Sequence, residues 1–300
     1  MLRKKIKRKL IAHMKITQPF IKWLIFFFGV TAGAIMSIPE SLNLIPFFIG
    51  AFIFSVFGQC GVRYINDFGD QDVDSLQEGD PLSHTRMIVK GHIHPYEALG
   101  VGIIVHVSGV IFAYLLLNWF FALMFGTMVL LSFMYSVYPR LKRFPFTPNV
   151  MIGIGYVFLP IVAGYSIYAP AIIPPLDVWI LALLCAIFAF GASISKDFMD
   201  RERDAKSDIR TLPVVLGERL ATRVKSAFFL IPYPAVGFLT VLNFYPRIML
   251  WSFLTLIPVG ILVYKLITLN FSRERIMQWS IMLTWLTELV FAIAYRVSVM

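Results

Sequence analysis

Charge is scarce in this chain: only 15 % of its 300 residues are Asp, Glu, Lys or Arg, against 58 % hydrophobic. With a mean hydropathy of +0.76, that shortage excludes an ordinary soluble domain and leaves an integral membrane protein. Cysteine is scarcer still. Cys60 and Cys185 are the only two; each lies in an apolar run, and their separation suits neither a disulfide framework nor a zinc site. Acidic residues are missing from the first 15 positions, which carry Arg3, Lys4, Lys5, Lys7, Arg8, Lys9 and Lys15. Such a basic segment suits the anionic headgroups of a cytoplasmic membrane face. The net charge of +10 comes with no folded basic domain, so no nucleic acid is expected as a partner. Basic residues, an apolar run and Ala32-Gly33-Ala34 follow in the order of a secretory signal, but Lys22 and the many later spans favour a retained first helix.

Apolar runs near twenty residues are plentiful. They predict nine spans, at about 20–38, 42–65, 96–117, 119–138, 149–168, 176–196, 219–241, 247–269 and 276–296. The fold class expected is therefore all-α: a multi-pass transmembrane helical bundle of about nine helices. With the N-terminus cytoplasmic, the inside loops hold Arg86, Lys90, Arg140, Lys142, Arg143, the 196–225 run, Arg273 and Arg275. The opposite loops offer only Arg247.

Two acidic clusters interrupt this apolar sequence. Asn66-Asp67-Phe68-Gly69-Asp70-Gln71-Asp72-Val73-Asp74 follows the second span and packs four carboxylates into nine residues. If the helix continues, Asn66, Asp70 and Asp74 share one face. Asp197, Asp200 and Asp204 close the sixth span with the same kind of spacing. Calcium-loop spacing, Asp-x-Asn/Asp-x-Asn/Asp-Gly, is absent, and magnesium is the hard cation usually held by one or two carboxylates together with substrate phosphates. A solvated acidic loop is the plain alternative for either cluster taken alone. Both clusters end spans on the cytoplasmic side, four spans apart, which suggests a parallel repeat of four-helix halves around a central cavity.

The two clusters resemble the signatures of the UbiA-type intramembrane prenyltransferases. The first matches as Asn66-Asp67-x-x-Asp70-x-x-x-Asp74, and the second as Asp200-x-x-x-Asp204-x-Lys206-x-x-Ile209-Arg210-Thr211, running on to Leu216-Gly217. The resemblance covers nearly the whole chain, so residues 1–300 are expected to form one transmembrane prenyltransferase domain, with 1–15 as a basic cytoplasmic segment. It implies an enzyme that moves a polyprenyl group, of about geranylgeranyl length, from its allylic diphosphate to a lipid, quinone-precursor or other hydrophobic acceptor. It implies two magnesium ions, one on Asn66, Asp70 and Asp74 and one on Asp200 and Asp204 with Asp197 assisting. Arg86, Lys142, Lys196 and Arg210, with Arg143 beside Lys142, are expected to grip the diphosphate. Asp70, Asp74, Asp200, Asp204, Arg86 and Lys142 are the expected catalytic set.

Two departures from the family pattern are visible. Members commonly carry Arg-Pro and a small residue before Gly after the first motif, where this chain reads Arg86-Met87-Ile88-Val89-Lys90-Gly91, and the usual glycine of the second motif is Asp208. A membrane cation transporter, or a metal-binding membrane protein, is the competing class, but transporter carboxylates belong near the midplane and these lie at span ends. A CDP-alcohol phosphotransferase needs an Asp-Gly and Ala-Arg string that is absent. Glu288 lies deep in the ninth span and is a candidate for acceptor contact or a structural pair, whereas His106 reads as a packing histidine.

Overall fold

The computed structural model describes residues 2–17, 23–39, 43–75, 87–169, 172–268 and 272–300. Eleven helices follow one another: α1 (Leu2–Thr17), α2 (Trp23–Ser37), α3 (Ile45–Gly69), α4 (Gln71–Ser75), α5 (Pro95–Leu116), α6 (Trp119–Ser136), α7 (Thr147–Tyr165), α8 (Leu176–Lys206), α9 (Leu212–Val241), α10 (Arg247–Ile267) and α11 (Arg273–Val299). No strand occurs among the described residues. Among the described residues eight helices (α3 and α5 to α11) are long and apolar enough to cross a membrane, and α2 is a shorter apolar helix. The nine expected spans are thus all present as helices. The sixth runs ten residues further than expected, to Lys206, because charge ends an apolar run but not a helix, and Met199, Arg201, Glu202, Arg203, Ala205 and Lys206 are good helix formers.

Local chemistry sets the ends. Pro95, Pro148 and Pro213 sit in first turns, where a missing N–H costs nothing. Asn118 caps α6, its side chain accepting from the Phe121 N–H at 2.8 Å while its Nδ2 donates to the Ser166 carbonyl at 3.0 Å. That cap also ties α6 to the end of α7.

α8 runs through the middle, with 67 % of its apolar window buried, whereas α5 buries only 22 % and turns Ile104, Val107 and Leu115 outward. Those outward side chains need no partner in a bilayer. The main core joins Phe26 of α2, Phe54 of α3, Phe121 and Phe125 of α6, Phe188 of α8, Phe229 of α9 and Phe291 of α11. α2 and α7 meet backbone to backbone: a Cβ on Gly33 would lie 1.9 Å from the Ile161 carbonyl oxygen, and one on Gly164 2.3 Å from that of Val30. Two helices are π-helical within, α3 over Ile53–Gly58 and α7 over Ile154–Phe158.

The basic N-terminal segment forms a docked helix. Ala12 and Ile16 pack with Tyr64, Met87, Ile88, Ile93 and Ala98. His13 Nδ1 lies 2.9 Å from the Tyr64 hydroxyl, and Lys9 pairs with Glu97 at 2.8 Å. α1 therefore braces the end of α3 and the stretch that follows the first acidic cluster.

Candidate active site

The first cluster does not lie on one continuous helix, as its spacing predicts. α3 ends at Gly69, Asp70 takes φ −104° and ψ 9°, and α4 restarts at Gln71. The cause is contact: a Cβ on Gly69 would lie 2.2 Å from the Ser136 carbonyl oxygen, so only glycine lets α3 end against α6. Asp70 thereby enters the bridge region of backbone space, where active-site residues are often held. Asn66 Nδ2 donates to Asp70 at 2.9 Å, and the Ser136 hydroxyl donates to Asn66 at 3.2 Å. Asp74 stays one turn on, its N–H donating to the Asp70 carbonyl at 2.8 Å.

The segment after α6 brings cations to this cluster. Arg140 adopts a left-handed backbone, φ 65°, a conformation that costs a non-glycine residue about 1 kcal/mol or more. Its guanidinium is held by two bonds to Asp72, at 2.8 and 2.5 Å, and lies 3.7 Å from Asp70. Lys142 is buried and hydrogen-bonded to Asp70. Burial pushes its amine below the ordinary lysine range while Asp70 pulls the other way. Arg143 donates to Asp72 at 2.8 Å.

The hydrogen bond from Arg140 leads in holding the Asp72 carboxyl down to about 2, below its ordinary 3.8. The folded form is therefore favoured by this group above about pH 4, and that gain is lost as pH falls through 2. In a pH series of detergent melting curves, wild type is expected to lose more stability between pH 4 and 2 than Asp72→Asn. Equal slopes would remove the pair from any structural role.

The second cluster keeps the predicted helical face, because α8 is continuous through Lys206. Arg203 reaches Asp200 at 2.6 Å and Asp204 at 3.2 Å. Both carboxylates thus lie within reach of a single cation, here the Arg203 guanidinium. Asp197 is turned elsewhere: it is buried and accepts from Asn149 Nδ2 at 2.9 Å. One of its oxygens is thus tied to α7, while its charge remains within range of Asp200 and Asp204. Among the described residues no three His, Cys, Asp or Glu side chains gather as a ready-made metal cage. The donors are nonetheless all hard oxygens, two carboxylates or a carboxylate and an amide at a time, which fits a magnesium ion that completes its shell with phosphate and water.

The 135–149 stretch joins the clusters. Tyr135 is within electrostatic range of Asp70 of the first cluster and of Asp197 and Asp204 of the second. Lys142 feels the charge of Lys196. The Arg210 N–H donates to the Arg143 carbonyl at 3.2 Å, closing the second loop onto the first. Lys196 and Arg210 are exposed at this same end. Arg86 lies outside the described residues.

A family profile described as "UbiA prenyltransferase family" matches residues 25–287. The chain belongs to the UbiA prenyltransferase family. Among curated relatives it is 29 % identical over 223 residues to the chloroplastic chlorophyll synthase of Arabidopsis thaliana, an alignment covering 70 % of this chain and 54 % of that protein. It is 32 % identical over 207 residues to the digeranylgeranylglyceryl phosphate synthase of Methanopyrus kandleri, covering 65 % and 66 %. The chain thus spans between about half and two thirds of the length of these relatives. A UbiA homologue from Archaeoglobus fulgidus, solved with GPP and Mg2+, superposes with a TM-score of 0.68 at 21 % identity, covering 95 % of this chain and 99 % of that one. The UbiA fold, a multi-pass membrane bundle, is therefore this protein's fold.

The UbiA-family chain also carries site neighbours that spacing does not reveal. Asp72 lies outside the four-residue rhythm, yet it receives both Arg140 and Arg143. Asn149 is an isolated amide in an apolar run. Lys225 is fully buried, donates to the Ser195 hydroxyl at 2.5 Å and is felt at Asp197, while Ser195 donates to Ser280 at 2.9 Å. A lysine inside a span is the one sequence signal that could have found it. Asp208, where the family usually has glycine, stands at φ 53°. The glycine preference thus has a conformational reason, and Asp208→Gly is expected to raise stability by up to about 1 kcal/mol, read as a higher midpoint in detergent denaturation.

Proposed function

We propose that this protein is a magnesium-dependent prenyltransferase of the cell membrane, its site open to the cytoplasmic side, that transfers a polyprenyl group from an allylic diphosphate to a hydrophobic acceptor. The observation that carries the reading is that Tyr135 lies within electrostatic range of both acidic clusters, while the basic stretches that follow them touch through Arg210 and Arg143. Asn66, Asp70 and Asp74 would hold one magnesium ion, and Asp200 and Asp204 a second. Bound magnesium supplies positive charge where the leaving diphosphate becomes negative.

The chain's own groups do the rest. Lys142, Lys196, Arg143 and Arg210, with Arg86 from the loop after the first cluster, bind the phosphate oxygens that the metals leave free. Arg140 anchors the 140–143 segment by gripping Asp72, so that Lys142 is presented in place. Tyr135 sets a π face beside the reacting carbon, suited to a developing allylic cation.

The geometry of cations at the loops and apolar side chains below suits a polyprenyl diphosphate lying head outward and tail inward. Incubating purified protein with labelled geranylgeranyl diphosphate and a panel of acceptors, with magnesium and then with EDTA, is the test. Transfer should appear with at least one acceptor and vanish on chelation. Undiminished transfer in EDTA would overturn the metal assignment, and metal flux without transfer would favour a transporter.

A further inference from the structure

The basic helix α1 has two faces, and the fold covers only one of them. Ala12 and Ile16 are buried and dock α1 on Tyr64, Met87 and Ile88. Beside them Lys9 reaches Glu97 at 2.8 Å, and His13 lies between the Tyr64 hydroxyl, at 2.9 Å, and Glu97, at 3.2 Å. On the opposite side of the helix, within an arc of about 100°, stand Leu10, Ile11 and Met14. They are 61 %, 42 % and 58 % exposed. Lys7 falls on the same arc and Arg8 and Lys15 border it, all three exposed. No acidic residue occurs between Leu2 and Thr17.

Position and charge together say what covers this outer face. Tyr64, against which α1 docks, is within electrostatic range of Asp67, so α1 sits at the end of the bundle where α3 gives way to the first acidic cluster. A span leaves the bilayer at that level. There, three large apolar side chains on one helix face reach the boundary between headgroups and acyl chains, while the stems of Lys and Arg carry their charge up to the phosphates. Uniform positive charge selects an anionic phospholipid surface over a neutral one, since each Lys or Arg beside it is worth roughly fivefold in partitioning. A second copy of α1 would bring the same charge to the contact and be repelled.

The inner face gives that contact a consequence. Met87 and Ile88, which α1 packs upon, follow Arg86 directly in the chain. We infer that α1 is an anchor for anionic phospholipid, and that its seating in the leaflet holds the segment running on from Arg86 against the end of α3, so that the site works better in an anionic membrane than in a neutral one. Leu10, Ile11 and Met14 supply the apolar contact, and Lys7, Arg8 and Lys15 the selection for charge. The anchoring stands apart from the prenyl-transfer reading, and only its effect on turnover rests on that reading.

A spin label on Met14→Cys reads the surface, because Cys60 and Cys185 are buried and leave the new thiol as the accessible one. The full chain is reconstituted in vesicles of phosphatidylcholine with and without phosphatidylglycerol. With phosphatidylglycerol present, the label should be open to dissolved oxygen and shielded from a water-soluble relaxant, at a depth of about 5–10 Å. The triple variant Lys7→Gln, Arg8→Gln, Lys15→Gln should move it toward water. In the same vesicles that variant should raise the KM for geranylgeranyl diphosphate by roughly 10-fold, a comparison in which any effect of lipid charge on magnesium or substrate cancels. Ile16→Ser loosens the docked face and spares the outer one, so it should leave the label in lipid, keep the melting midpoint of the bundle and still raise the KM. The inference is overturned if the label stays in water in both vesicles, if it is shielded from oxygen and relaxant alike, as beneath a second copy or another protein, or if the triple variant leaves the KM unchanged. Absence of transfer by wild type would strike the prenyl-transfer reading alone, since the depth of the label still decides the anchor.

Discussion

Asp70→Asn and Asp200→Asn should each lower prenyl transfer by on the order of 10³-fold, the scale set by removing one group that stabilises developing charge. The two should differ in stability. Asp200 shares Arg203 with Asp204, so its amide variant leaves Arg203 paired and the helix face intact. A melting curve within about 1 kcal/mol of wild type is expected there. Asp70 is the partner of buried Lys142, and its amide variant leaves that amine with no full negative charge beside it. A further loss of about 1–3 kcal/mol is expected from this. Activity with labelled geranylgeranyl diphosphate across a magnesium titration, alongside detergent melting, separates chemistry from folding. Asp200→Asn that retains full activity at saturating magnesium would remove the second metal site.

The largest structural effect is expected at the α2–α7 crossing. Gly33 and Gly164 place two backbones in direct contact, each glycine facing the other helix's carbonyl oxygen. Any side chain there meets main chain, which cannot swing away, and in a bilayer close backbone packing replaces the hydrophobic drive that water would supply. Gly164→Leu should therefore cost about 3 kcal/mol or more and lower the melting midpoint by roughly 10 °C. Gly100→Ala is the control, since a Cβ there meets nothing within 4 Å. A neutral or slightly stabilising outcome is expected for it. If Gly164→Leu melts like wild type, the α2–α7 contact is not what holds the halves of the bundle in register.

The spans were legible because a run of twenty apolar residues has few other uses, and both motifs were legible because their carboxylates recur at helical spacing where a span ends. What spacing cannot carry is how a helix stops. The break at Asp70 depends on Gly69 meeting the Ser136 carbonyl 67 residues away, a contact no local pattern encodes. The same holds for Asp72, which reads as a surface aspartate until Arg140 and Arg143 fold back onto it. Asp197 adds a third case: beside its place in the helical register, it accepts from Asn149 of another helix, a bond that no spacing encodes. Lys225 stands at the end of the basic 196–225 run, and only its burial sets it apart.

The π-helical stretch Ile53–Gly58 carries a consequence for how this protein can change over time. A π turn is an α-helix with one residue inserted, and the widened turn takes up that residue locally, so that the helix beyond keeps its orientation. Asn66 and the Gly69 contact lie beyond it. Deleting one residue here would restore regular winding and leave the acidic motif against α6, whereas a further inserted residue would turn it by about 100°. One deletion in this stretch should therefore be better tolerated than one insertion.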